Sequence, residues 1–330
     1  LGFTIEVLRT LGIPVVQLKS VGFNAYELKD AGVPARELKA AGFNAIQLKD
    51  IGFSVMEIQD CGLRAASVFS LKELKAVNFP LKALKEEGFE LKDLKDQYKL
   101  EDLRTVGFRL QELQQVGYTK AQLKKAGFSA LEFRALMVPV PELVESGFNA
   151  TELRIGGYKA QELKGAGFTV TDLRSGGYTA SQLNLAGHGA EELKTGGYRA
   201  EELVAAGYST ADLKEAGFPV KTLRSVGISV KELRSVGFSV ADLRVGGCSA
   251  EDLTECGCEA AELYGGGFGG KQLRAVGFNA EQLKTAGLSP KELRTAARFS
   301  AVELHAVGVS LAEMRQGGYP LKQLKESVGF

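Results

Sequence analysis

Residues 265–271 read G-G-G-F-G-G-K and are followed by Gln272, a run that imitates a phosphate-binding loop of the form G-x-x-x-x-G-K-[ST]. In such a loop, glycine amides cradle the phosphates, the lysine neutralises charge and the final hydroxyl holds Mg²⁺. Here the hydroxyl is absent and no apolar strand precedes the run, so nucleotide binding is not expected. The two histidines are far apart. His188 stands where most repeats carry an aromatic residue and reads as a core substitute, whereas His305 stands in an exposed lysine position. Neither has a Cys, Asp or Ser at a spacing that would build an acid–base or nucleophilic constellation.

Cys248 and Cys258 occupy consecutive aromatic positions, and Cys61 and Cys256 occupy positions usually filled by Ala. Buried free thiols are the first expectation. Contact between adjacent positions would also allow a Cys248–Cys258 disulfide, and a metal site built on these thiols is the weakest reading. No catalytic, cofactor-binding or metal-binding residue is assigned, and an enzyme is not expected.

Charge is patterned more strongly than it is biased. Lys or Arg follows a leucine at Lys19, Lys29, Lys39, Lys164, Arg174, Lys194 and Arg234, and acids recur at Glu27, Glu37, Glu162, Glu192 and Glu232. Two parallel, solvated and mutually compensating ladders are expected, so that removing Lys164 should be nearly silent. The net charge of +1, from 41 basic and 40 acidic residues, gives no pull toward nucleic acid or an anionic membrane. The phrase S-x-x-E-L-K resembles the first helix of SAP-type DNA-binding motifs, but only over six residues at a time. Nucleic acid is therefore not an expected partner.

These positions are set by a ten-residue phrase, close to G-F-S-A-x-E-L-K-x-A, that recurs along the 330 residues. In Phe168-Thr169-Val170-Thr171-Asp172-Leu173-Arg174 a polar cap is followed three places on by an acid, the signature of a capping box. The preceding Phe and the Leu are spaced as a hydrophobic staple. Glycines such as Gly127, Gly147, Gly167 and Gly177 then offer a left-handed stop, after which the next aromatic can fold back on the leucine. All eight prolines obey this frame: Pro14, Pro34, Pro80, Pro139, Pro219 and Pro320 fall in the capping position, Pro290 one place later and Pro141 two places later.

A helix of about six residues is far below the ~12 at which isolated helices become marginal, so stability must come from stacking neighbours. The expected fold is all-α: an α-solenoid superhelix of about 33 short helices, one per repeat, forming a single continuous array over residues 1–330. A pentapeptide-type β-helix is the alternative, because Leu and Phe alternate every five residues. It fails at Tyr26, Arg36, Gln161, Lys221 and Lys231, where an inward-facing small residue would be required. The frame slips near residues 63–79, 95–103 and 295–299. Within the first slip, residues 64–77 lack Gly and Pro and are expected to form the longest helix, with Asn78 as a left-handed stop. Residues 264–271 are expected to be a soft joint, since each extra glycine costs up to about 1 kcal/mol in a helix.

The phrase, cleanest at Val236-Gly237-Phe238-Ser239-Val240-Ala241-Asp242-Leu243-Arg244, resembles the decapeptide tandem-repeat proteins (A-G-F-S-A-x-E-L-K type) of algae and other protists. The resemblance covers essentially the whole chain. It implies a repeat scaffold and carries over no catalytic residue and no cofactor. The expected role is a non-catalytic structural scaffold or docking component of a larger assembly or filament. The alternative is a recognition solenoid that binds a peptide or an anionic ligand along its surface.

Apolar runs never reach the ~20 residues needed to span a bilayer, and no signal-peptide pattern is present, which sets the expectation of a soluble chain without a transmembrane segment. No compartment is assigned. The chain opens at Leu1 without an initiator Met and closes on Gly329-Phe330, so an excerpt or a processed product is expected. Ile5, Leu8, Leu324, Val328, Gly329 and Phe330 keep ordinary apolar identities, so at least one end is expected to be covered by more chain, by a stacked copy or by another subunit.

Overall fold

The structure is a computed structural model and describes residues 3–327. Among these residues it contains 32 α-helices, one short 3-10 helix and no strand. The β-helix alternative is thereby overturned. Helices of six residues dominate, as at Ala150–Ile155, Ala160–Gly165 and Val170–Ser175.

Each start is written in the cap. At Ala25–Asp30 the Glu27 amide donates to Asn24 Oδ1 and the Asn24 amide donates to Glu27 Oε2, both at 2.9 Å. Two amides that a helix start leaves without partners are satisfied reciprocally. Where Lys159 holds the cap position only the second half survives, its amide donating to Glu162 Oε2 at 2.7 Å. Pro14, Pro34, Pro80, Pro139 and Pro219 are N-caps, and Pro141 and Pro290 lie in the first turn.

Most stops are Schellman motifs. The Phe128 amide donates to the Leu123 carbonyl at 3.1 Å and the Gly127 amide to the Lys124 carbonyl at 2.8 Å, with Gly127 at φ 93°. Leu123 and Phe128 are thereby buried together. Asn78 takes the left-handed conformation as expected, at φ 53°. Met137 and Arg298 do so as well, at φ 56° and 58°, against the usual steric preference.

Within residues 138–330 the core is a column of central leucines, among them Leu163, Leu173 and Leu183, closed off by aromatics such as Tyr158 and Tyr178. Helices pack against neighbours one and two places along the chain, as Ala180–Leu185 does on Ala200–Ala205 and Ala190–Thr195 on Thr210–Glu215. This is the solenoid-like arrangement that the repeat demands: no single helix has a core of its own, and each buries its apolar face on the next. The contacts gather into two compact units, Leu1–Met137 and Val138–Phe330, and the ten-residue phase runs within each.

The expectation of one long helix over residues 64–77 is wrong. The structure places a 3-10 turn at Ala65–Ser67, a break through Val68 and Phe69, and an ordinary helix at Leu71–Ala76. The reason is local. Ser70 is extended (ψ 155°) and closes a capping box with Glu73, its amide donating to Glu73 Oε2 at 2.7 Å, so a new helix starts there without a glycine. The longest described helix is instead Leu321–Ser327, of seven residues. At the second slip the Leu91–Leu94 helix is cut to four residues, with both Gln97 and Tyr98 amides donating to the Leu94 carbonyl at 3.0 Å. At the third, the added residue is absorbed beyond Pro290–Thr295, where Ala296 and Ala297 both donate to the Glu292 carbonyl.

The glycine run does not interrupt the array. It contributes to two six-residue helices, Ala260–Gly265 and Gly270–Ala275. A Cβ on Gly266 would overlap Val240 Cγ1 and lie 2.8 Å from Val240 Cβ, and one on Gly270 would lie 2.9 Å from Leu288 Cδ2. Both are sites of close approach, whereas Gly265 faces open space. The terminal residues Leu1, Gly2, Val328, Gly329 and Phe330, part of the expectation of uncovered ends, lie outside the described residues.

Candidate functional site

The repeating feature with the richest polar geometry is the cation that follows each central leucine. It is not part of a free ladder. Lys19 Nζ donates to the Ala41 carbonyl at 3.1 Å and lies 4.1 Å from the Phe43 ring centroid. Lys29 repeats this on Ile51 (2.7 Å) and Phe53 (4.7 Å). Lys39 donates to Cys61, Lys164 to Gly187, and Lys194 to both Ala216 and Gly217. Arg234 donates to the Cys256 carbonyl and meets Glu262 at 3.0 Å. Arg174 lies 4.7 Å from the Tyr198 ring, with Glu202 at 3.8 Å.

One rule covers these contacts. A cation at position i clamps the turn two repeats ahead, touching the C-cap carbonyl near i+22, the aromatic face at i+24 and, where present, the acid at i+28. Helix C-termini expose carbonyls and carry partial negative charge, so a cation there is favoured, and the ring adds cation–π attraction. The expectation of solvated, compensating ladders is therefore corrected: the clamp cations, Lys164 included, make directed contacts with the turn ahead. The acids Glu27, Glu162 and Glu232 serve first as helix-start acceptors or neighbours of the cap, and Glu37 additionally receives Arg9 at 3.1 Å.

The same spacing organises the tyrosines. Tyr158 donates to the Val138 carbonyl and Tyr178 to the Tyr158 carbonyl, each at 2.8 Å, and Tyr198 donates to the Tyr178 carbonyl at 2.5 Å. Burial pushes the Tyr208 hydroxyl up to about 12, and that of Tyr319 likewise. These phenols are hydrogen-bond donors at any physiological pH.

His188 is buried, as an aromatic substitute should be. Its Nδ1 lies 2.7 Å from Glu192 Oε2, and this contact holds the Glu192 carboxyl below the usual carboxylate range. With Glu192 ionised, Nδ1 carries the proton. Nε2 is enclosed without a hydrogen-bond partner, so the ring has no second group with which to relay a proton. His305 is exposed.

The cysteines are free thiols, with Cys61, Cys248 and Cys258 buried and Cys256 partly exposed. Aromatic positions touch at a spacing of twenty, as the tyrosines show, so Cys248 is aligned with position 268 rather than with Cys258. Burial pushes both Cys248 and Cys258 thiols up, away from the reactive thiolate. Among the described residues no group of His, Cys, Asp and Glu is arranged to hold a metal ion.

The phosphate-loop imitation has no free cradle. The amides of Gly266, Gly267 and Phe268 donate to the Glu262, Tyr264 and Leu263 carbonyls, and that of Gly269 donates to Gln272 Oε1. No described helix is long and apolar enough to cross a membrane.

The fold and these contacts define a class: an α-solenoid of capped decapeptide repeats whose polar groups mostly serve the repeat itself. The family model for the decapeptide repeat region matches residues 1–65, 63–130, 117–188, 138–208, 177–250 and 237–297, and the chain belongs to that family. No curated protein matches the chain.

Proposed function

We propose that this chain is a non-catalytic scaffold, a docking component of a larger protein assembly. The observation that supports this reading is the use made of its reactive groups. Cations clamp turns, acids close capping boxes, phenols bridge carbonyls, three of the four thiols are buried, and among the described residues the repeat runs within each unit without a convergent acid, base and nucleophile. Solenoids of this kind present long regular surfaces to which other proteins dock. Phe3, Leu11 and Val21 stand exposed beside the ends of the first two helices, and stacking of a further protein surface on them, including a second copy of the chain, is part of the proposal.

The test is the mass of the native particle, measured by light scattering after gentle isolation, together with the stoichiometry of its components. A particle containing this chain and another protein, or several copies of it, in fixed ratio agrees with the scaffold. A lone monomer at every concentration refutes it. A peptide-binding solenoid is the second reading, favoured by the concentration of exposed apolar residues in the first six repeats. An anionic ligand is disfavoured, because the clamp cations already face carbonyls and rings.

A further inference from the structure

In each helix the residue at the second position and the one four places later share the outward face. In the Val138–Phe330 unit the second position is mostly polar or small, as at Gln161, Glu191 and Lys231. Among the first six helices it is apolar at four, with Glu6 and Arg36 the exceptions. Tyr26 is 67% and Ile46 59% exposed, on the helices Ala25–Asp30 and Ala45–Asp50, and Val16 and Met56 hold the same position on the interleaved helices. Four places after Tyr26 and Ile46 stand Asp30 and Asp50, both exposed.

These two helices are neighbours in the stack, since Lys29 of the first donates to the Ile51 carbonyl that closes the second. Two parallel rows result, Tyr26–Ile46 and Asp30–Asp50. Glu6, also exposed, continues the first row on the preceding helix of the same layer. No cation of these helices balances the rows: Arg9 is paired with Glu37, Lys29 with the Ile51 carbonyl, and Lys49 with the Val68 carbonyl and Glu73. Over these two helices the face is apolar along one line and acidic along the next, with Glu6 adding an acid at the end of the apolar line, because the clamp has turned its cations toward the turns ahead.

We infer that this face is a docking site for an amphipathic protein helix that carries apolar side chains bordered by Lys or Arg. The inference rests on the scaffold reading and names the partner's chemistry. Stacked helices lie about 8–10 Å apart, which a helix crossing them covers in about five to seven residues at 1.5 Å each. Apolar residues at i and i+7 therefore meet Tyr26 and Ile46, while cations along one flank meet Asp30 and Asp50. Like charge on an anionic membrane would be repelled by the same face.

The experiment uses the full chain and a synthetic helical peptide with leucines at i and i+7 and lysines along one flank, against a control in which glutamates replace the lysines. Binding is read by fluorescence anisotropy, and its location by backbone amide shifts. The expected result is shift changes centred on Tyr26, Asp30, Ile46 and Asp50, with affinity at least about tenfold weaker for the glutamate peptide and for Ile46→Glu, and weakened by added salt. Asp30→Asn with Asp50→Asn, which leaves the buried leucines intact, should also weaken the lysine peptide. Shifts centred elsewhere, or equal binding of the two peptides, would overturn the assignment while leaving a scaffold possible through another surface. A native particle that is a lone monomer would remove the scaffold reading itself.

Discussion

Gly196 shows how tightly the repeats interlock. Its backbone, at φ −71°, suits any residue, so conformational freedom is not why it is glycine. An added Cβ would overlap Val170 Cγ1 and lie 3.1 Å from Val170 Cβ, where carbon contacts prefer about 3.5–4.0 Å. Gly246 meets Val220 and Gly266 meets Val240 in the same way, always at a spacing of twenty-six. Gly196→Ala should stabilise by about 0.4–1 kcal/mol through the unfolded chain but lose about 1–3 kcal/mol to overpacking, giving a net loss on the order of 1–2 kcal/mol. Val170→Ala opens the space that the new methyl needs. The double variant should therefore be at least about 1 kcal/mol more stable than the sum of the single effects predicts. Urea midpoints, with hydrogen exchange of amides in Val170–Ser175 and Ala190–Thr195, measure this. Additivity of the two changes to within about 0.5 kcal/mol would refute the claim that the pair is matched in volume.

Lys194→Met should cost about 1–2 kcal/mol in local exchange stability, because it removes a charged donor from two carbonyls and a cation near the Phe218 ring, whereas the exposed Lys271→Ala should change little. Gly265→Ala should raise stability by about 0.4–1 kcal/mol and slow exchange in the glycine run, since no atom lies within 4 Å of the added carbon. Acid should unfold the array as a consequence of its caps. Hydrogen bonds from the Ser70 hydroxyl and backbone hold Glu73 down to about 2, and the equivalent bonds lower Glu57, Glu292 and Glu313. Folded values below the unfolded one mean that this stabilisation is complete above about pH 4.5 and is lost as pH falls toward about 2, so helicity followed by circular dichroism should drop across that window. Retention of full helicity at pH 2 would contradict it.

The helix phase was legible because its causes are local. A cap, an acid three places on, a stop in the left-handed region and an aromatic to fold back over it all act within one repeat, and the prolines report the same frame independently. The misjudged stretch, residues 64–77, shows the same lesson from the other side. Ser70 and Glu73 spelled a helix start, and absence of Gly and Pro was a weaker signal than that box.

The partners of each side chain were not legible. Lys19 reaching Ala41, Tyr178 reaching Tyr158 and Gly196 receiving Val170 connect residues separated by twenty-two, twenty and twenty-six positions. A ten-residue period states that every repeat is alike, but not which neighbour each will touch. That depends on the angle and distance at which one short helix lies on the next. Only stacking sets those quantities, and stacking turned an apparently solvated cation ladder into a set of clamps while leaving acids and apolar residues on the outer face.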